Sequence, residues 1–394
     1  MEVKQIYSLM NTVSGEVLGK TGIVQEDLSG VVDLGTEIFN QNAVDNYVKS
    51  LVNHIGKVVF VNRPYSGKVP SVLMDSWEFG SVLEKISADI PQAEENDTWN
   101  LTNGTEYKQD IFHKPVVTAK FFNSKVTFEV PVSITERQVK ESFSSASQLN
   151  GFLSMIYNAV EKAMTIKTDA LIMRTINNMI AETLDADKAS FGWVETTHEE
   201  VDYSTGSTVR CVNLLRLYNE MTGLHLEKDV AITTPDFIRF AAYQMGLYAD
   251  RMGSISTLFN VGNKERFTPK EVLHTVLLSD FAKAAQAYLY ADTFHNEQVL
   301  LPQAETVPSW QSTGTDYAFE NTSKISVKSA SGATISIDGV LGVMFDRDAL
   351  GVTNLDKRVT TNYNAKAEFY NNYYKFDAGY FNDTNENFVV FFVA

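Results

Sequence analysis

Between Gly339 and Val352 the chain reads GVLGVMFDRDALGV, small and branched apolar residues breaking into Asp346-Arg347-Asp348. Two carboxylates one residue apart at a strand end could form half of a metal or acid/base site. Hydrolytic chemistry needs paired acids at a set separation with shifted proton affinities. Arg347 between them weighs toward ion pairing in a salt-bridged turn.

The other candidates for chemistry are weaker. SGEVLGKT (14–21) approaches a phosphate-binding loop, but Ser14 stands where the first glycine is needed, and no apolar strand precedes it. The six histidines (His54, His113, His198, His225, His274, His295) form no HxH, HxxxH or HExxH spacing, so they advertise no zinc site. DADK at Asp185 lacks the glycine and terminal glutamate of a calcium loop. Cys211, the single cysteine, sits among apolar neighbours in STVRCVNLLRLYN, read as a helix beginning near Ser207, and behaves as a small hydrophobe. No GxSxG elbow is present. The expectation is therefore no catalytic residue, no cofactor and no metal, with Asp346, Arg347 and Asp348 as candidate ion-pairing residues.

A charged segment raises a different kind of function. Lys57, Arg63, Lys68, Lys85, Lys108, Lys114, Lys120 and Lys125 are interspersed with Glu78, Glu84, Glu94, Glu95 and Glu106. They read as a solvated loop or as a charged surface that meets a neighbour. The second is favoured, because such a loop cannot bury Trp77, Trp99, Phe121 and Phe122 by itself.

The whole chain sets the frame for these residues. Its 394 residues allow one elaborate or two modest domains. Apolar residues make up 44% and charged residues 21%, as in ordinary globular proteins. A formal net charge of −16 argues against gripping nucleic acid through the whole surface, which needs clustered Lys and Arg. One cysteine excludes an intrachain disulfide and thiolate clusters. The N-terminus MEVKQIYSLM has no signal-peptide core and no run approaches a membrane span, so a reducing cytoplasm is expected and the Asn sequons read as chance.

Residues 1–55 read as an arm, with a glycine-punctuated lead and a short helix over 41–55. Residues 56–131 read as a projecting two-stranded loop, with KVVFVN as one strand and VVTAKFFNSKVTFEVPVS as a long, partly alternating one. No proline falls between Pro131 and Pro235. Within that span, Leu149, Phe152, Leu153, Ile156, Val160, Ala163 and Met164 share one helical face, continued with slight drift by Ala170, Leu171, Met179 and Ile180. The spacing predicts a spine helix over about 147–184, roughly 50 Å long at 1.5 Å per residue. It keeps no strict heptad and so is no coiled coil. Thr234 and Pro235 open another helix, and a strand ending near Leu278 precedes a helix capped by Ser279 or Asp280. Strands recur over 323–345, and the chain closes on an apolar strand, Phe388–Val393. The class is α+β.

This order of elements resembles the major capsid protein of tailed bacteriophages, the Hong Kong 97-type fold. The wording of YLYADTFHNEQVLLPQAETVPSWQSTGTDYAF and of the stretch from Gly339 to the C-terminus is similar to capsid proteins of small short-tailed phages of Gram-positive hosts. The resemblance covers essentially the whole chain. It implies an N-terminal arm (1–55), an extended loop (56–131), a peripheral domain carrying the spine (132–229), an inserted axial domain (230–336) and a C-terminal return (337–394). It further implies a non-enzymatic shell protein that assembles as pentamers and hexamers in the host cytoplasm and ends in the virion. A separate scaffolding protein and a portal would be its partners. The shell would enclose double-stranded DNA without sequence-specific binding and without a membrane. An encapsulin-like compartment of the same fold is the alternative. Asp346, Arg347 and Asp348 would then lie near subunit contacts.

Overall fold

A computed structural model describes residues 3–20, 69–74, 82–91, 93–107, 110, 112–135, 146–192, 201–290, 304–311 and 321–394. The expected helix over 41–55, the strand KVVFVN and Trp77 lie outside these residues.

In chain order the elements are helix α1 (Val3–Leu18), strands β1 (Leu73–Met74), β2 (Leu83–Ala88), β3 (Val117–Phe122) and β4 (Lys125–Thr135), and helix α2 (Ala146–Ala186). Then come β5 (Cys211–Asn213), α3 (Leu214–Thr222), α4 (Lys228–Ala231), α5 (Pro235–Met252), β6 (Leu273–Leu278), α6 (Ser279–Tyr290) and β7 (Glu305–Val307). The chain finishes with β8 (Ile325–Lys328), β9 (Thr334–Ile337), β10 (Val340–Asp346), β11 (Leu350–Asn364), β12 (Phe369–Asn382) and β13 (Phe388–Phe392). The described part of the glycine-punctuated lead is helical over Val3–Leu18: residues 14–18 of the near-miss phosphate loop complete α1, which is followed by Gly19 with φ 67°. A helix interior cannot wrap a phosphate with backbone amides, because those amides already bond within the helix.

The chain divides into two compact units. The smaller takes in α1, residues 131–135, 146–162 and 360–373. In it the ends of β4, β11 and β12 carry polar pairs: Ser133 Oγ meets Asn371 Oδ1 at 2.5 Å, and Thr361 Oγ1 donates to Asn372 Oδ1 at 2.9 Å. Tyr363 and Tyr370 pack with centroids 4.6 Å apart and their rings tilted by 40°.

The larger unit is organised around a five-stranded mixed sheet of order β5-β13-β10-β6-β7. β10 lies antiparallel to both β13 and β6, while β13 runs parallel to β5 and β6 parallel to β7. Every residue of β5, β10 and β13 is buried, which explains why VLGVM and FVVFF are unbroken apolar runs: both sheet faces are covered. Phe237, Ile238, Ala241, Met245 and Met252 of α5, with Leu214 and Leu215 of α3 and Phe281 of α6, join Leu277, Leu341, Met344 and Phe391 in one core. Gly342 admits this packing. A Cβ there would lie 2.5 Å from the Leu277 side chain and 3.0 Å from the Val276 carbonyl oxygen. The expected boundaries at 229/230 and 336/337 cut through this sheet, because β10 hydrogen-bonds between β13 and β6.

The spine is present and slightly longer than its apolar stripe, at 41 residues. Its burial changes along its length. Leu153 and Tyr157 are exposed, whereas residues 171–184 are buried on nearly every side. That all-round burial is why the stripe drifts in the sequence. Thr168, Thr175 and Thr183 turn their hydroxyls back to the carbonyls of Met164, Leu171 and Met179 at 3.1, 2.8 and 2.8 Å, so three polar residues enter the helix satisfied.

Two readings are corrected. Cys211 opens a strand, not a helix: it pairs with Val390, and the helix begins only after Asn213, whose side chain accepts from the Arg216 N–H at 3.1 Å. The β-branched run around Val209 and Val212 suits that strand. The long strand over 116–133 is two strands broken at Asn123-Ser124, since β3 pairs with β2 while β4 pairs with β12. Pro131 is accommodated because β4 is an edge of the sheet β1-β11-β12-β4.

Candidate functional site

The β2–β3 ribbon is built with its polarity reversed. Its antiparallel register pairs Leu83 with Phe122, Lys85 with Lys120, and Ser87 with Thr118 on one face. Glu84 with Phe121, Ile86 with Ala119, and Ala88 with Val117 form the other. Alternation places Leu83, Lys85, Lys120 and Phe122 half-buried against the body. Ile86, Phe121 and Val117 face solvent at 67%, 63% and 58% exposure. The connection between the strands adds Trp99 at 94% and Phe112 at 86%. The sequence reading expected the lysines of this segment to meet a neighbour. Lys85 and Lys120 instead meet their own chain, and the outward face carries Ile86, Phe121 and Val117 beside the exposed Glu84.

The lysines sit in a charged seat made by the turn after β12 and the turn after β10. Lys85 Nζ donates to Asp383 Oδ2 at 2.7 Å, to the Asp348 carbonyl oxygen at 2.9 Å and to Glu386 Oε1 at 3.1 Å. Lys120 Nζ donates to Asp383 Oδ1 at 2.8 Å. Arg266 Nε lies 3.3 Å from the second Glu386 oxygen, so Glu386 bridges the seat to the 261–272 loop. The Asp383 side chain is 3% exposed. Its backbone N–H donates to the Ala349 carbonyl at 2.7 Å, and Asn385 N donates to Asp383 Oδ1 at 3.1 Å, so the turn is also held by bonds that do not involve the lysines. Burial pushes the Asp383 carboxyl up, but hydrogen bonds from Lys120 and Lys85 outweigh it and hold the group below the usual carboxylate range. Two further contacts attach the ribbon: Phe122 packs on Phe381 with centroids 5.2 Å apart, and Lys264 Nζ reaches Asp89 Oδ1 at 3.2 Å. The cleft between ribbon and body has a volume of about 350 Å³.

Asp346 and Asp348 line this cleft, and the structure separates their roles. Asp346 is buried and internally engaged. Its Oδ2 accepts from Thr268 Oγ1 at 2.8 Å and its Oδ1 from the Asp348 N–H at 2.9 Å. Thr268 Oγ1 accepts in turn from Asn387 Nδ2 at 3.1 Å. Asp346 is thereby engaged within its own chain, and its carboxylate closes the turn between β10 and β11. Arg347 and Asp348 stay exposed, with Arg347 Nε 3.8 Å from Asp348 Oδ1. Those are the dimensions of a surface ion pair, not of two acids flanking a substrate.

Elsewhere the geometry also favours packing. His274 stacks on Phe345 at 5.6 Å. Cys211 is buried, and burial pushes its thiol well above the ordinary value, away from the reactive thiolate. Among the described residues no group of three or more His, Cys, Asp or Glu could hold a metal ion, and no helix is long and apolar enough to cross a membrane. Asp383, Glu386 and Arg266 were not singled out by sequence. The available signal was the inward place of lysine in LEKISA and TAKFF once the two segments are set in register.

Comparison with known proteins follows the same direction. The family described as Phi29-like phage major capsid protein matches residues 8–392. A capsid structure of Staphylococcus phage Andhra is similar, with a TM-score of 0.53, 8% identity, and 86% of this chain and 87% of that chain covered. A structure of native bacteriophage P68, described as its head fiber and inner core protein gp22, gives 0.50 at 7% identity, with 86% and 87% covered. At such identities the likeness is one of fold, and it agrees with the mixed helix-and-sheet class expected. No curated protein matches the sequence.

Proposed function

The chain belongs to the Phi29-like phage major capsid protein family, and we propose that its β2–β3 ribbon carries the contact by which one copy lies over the next in the shell. Its role is structural: copies self-assemble into a phage capsid, and the protein is part of the virion. The observation that carries the ribbon assignment is its inverted polarity, with lysines turned inward and Ile86, Phe121 and Val117 turned out. A monomer gains nothing by exposing that face. A second copy laid across it removes each large side chain from water for about 1.5–3 kcal/mol. Contacts this weak suffice when each subunit has several neighbours and the surface closes.

Several finer features belong to the same reading. Copies group as pentamers and hexamers of an icosahedral shell built in the host cytoplasm. A separate scaffolding protein and a portal take part in building it. The enclosed double-stranded DNA is retained without sequence-specific grip, since a chain of net charge −16 repels phosphate. Arg347 and Asp348, both exposed at the β10–β11 turn, pair with a neighbour's charges.

The test is a double variant, Ile86→Lys with Phe121→Glu, compared with the parent by electron microscopy and by thermal unfolding. The expected result is an unfolding midpoint like the parent's together with loss of closed shells. Normal shells from the variant would remove the ribbon from the assembly contact.

A further inference from the structure

Lys85 and Lys120 are direct cross-strand partners on the inward face of the ribbon. Two ammonium groups in that arrangement repel, and by itself the pair opens the strands. Asp383 reverses the sign. It places one carboxylate oxygen on each lysine, Oδ2 on Lys85 at 2.7 Å and Oδ1 on Lys120 at 2.8 Å, from a turn anchored to Ala349. Lys85 keeps two more acceptors, Glu386 and the Asp348 carbonyl, whereas Lys120 donates to Asp383. The aromatic contact of Phe122 with Phe381 lies one strand-end away from this centre.

We propose that Asp383 is a charge latch that seats the β2–β3 ribbon on the body of its own subunit. With the carboxylate ionised, the lysine face is held down and the apolar face is presented outward. With that charge removed, the two lysines repel and the ribbon leaves its seat, turning about the Phe122–Phe381 contact. Once unseated, an isolated two-stranded ribbon is marginal in water, so release appears as lost strand protection. The latch acts within one copy and therefore goes beyond the intersubunit contact proposed above, although it governs how that contact is offered.

The experiment is amide hydrogen exchange on the unassembled full-length chain, comparing the parent, Asp383→Asn, Lys120→Met and Asp383→Asn with Lys120→Met. Asparagine keeps the size of Asp383 but turns an amide donor toward one of the lysines. In Asp383→Asn, exchange over 83–88 and 117–122 is expected to rise by at least about tenfold, while 340–346 and 388–392 stay within about twofold. Adding Lys120→Met removes the repulsion at similar side-chain length and is expected to bring the ribbon back within about threefold of the parent. Unchanged ribbon exchange in Asp383→Asn would overturn the latch. So would an equal rise over 340–346 and 388–392, which would make Asp383 a stabiliser of the body. A double variant as open as the single one would remove repulsion as the cause. Because these measurements use unassembled chains, they fail or succeed independently of the shell contact tested with Ile86 and Phe121.

Discussion

Truncating the two lysines of the seat should have unequal consequences, and the structure sets the order. Lys85 donates three hydrogen bonds, two of them to carboxylates, and its side chain is 22% exposed. Lys120 donates to one carboxylate and is 37% exposed. A hydrogen bond to a charged group contributes about 1.5–3 kcal/mol when buried and well under 1 kcal/mol for an exposed pair. Lys85→Ala also leaves Asp383 and Glu386 short of a cation in a seat that water reaches poorly. Its expected cost to ribbon closure is about 2–4 kcal/mol. Lys120→Ala loses one partly screened contact, so the expected cost stays below about 1 kcal/mol. At about 1.4 kcal/mol per tenfold, exchange over 83–88 should rise by about 30- to 1,000-fold in Lys85→Ala and by less than about fivefold in Lys120→Ala. Equal effects, or a larger effect from Lys120→Ala, would refute the hydrogen-bond inventory on which this order rests.

Gly342→Ala should destabilise the larger unit by about 1–3 kcal/mol, because the new methyl would sit 2.5 Å from Leu277 and carbon contacts need about 3.5 Å or more. Denaturant unfolding checks this, and adding Leu277→Ala should recover part of the loss if overlap is the cause. Asp383 has a folded-state pKa below its ordinary value of 3.8, so its contribution is fully present above that pH and is lost as pH falls below it. Unfolding midpoints measured from pH 6 to about pH 3 should therefore drop less steeply in Asp383→Asn than in the parent. Arg347→Ala should lower particle yield with little change in unfolding midpoint, since the side chain is 62% exposed and its ion pair with Asp348 spans 3.8 Å. Parent-level yield of particles would remove Arg347 from the subunit contact.

Some of the architecture can be read directly from local sequence. The spine is legible because a proline-free run rich in good helix formers holds a helical stripe over many turns, and the observed helix extends it by a residue or two at each end. The helix opened by Thr234 and Pro235, the strand ending at Leu278 and the closing apolar strand are likewise where punctuation and periodicity put them. The first turns of the chain gave no legible helix signal. Gly15 and Gly19 look like loop residues, but Gly15 is tolerated inside α1 and Gly19 adopts the left-handed conformation at its end. At Cys211, apolar spacing on both sides continued the helical pattern, and pairing with Val390 from the far end of the chain decided for strand.

Charge was the least legible quantity. Asp346 and Asp348 stand two apart in sequence with the same side chain, yet one is buried under Thr268 and the other faces solvent. Lys85 and Lys120 look like ordinary surface lysines until register sets them opposite each other over Asp383. Composition, the length of the spine and the strands ending at Leu278 and opening at Phe388 follow from the sequence alone, because hydrophobic period and backbone propensity act over a few neighbours. The direction in which each strand face points, and the partner of each charge, were decided only by tertiary structure. Those choices depend on residues some 260 to 300 positions apart, brought together by the packing of other elements.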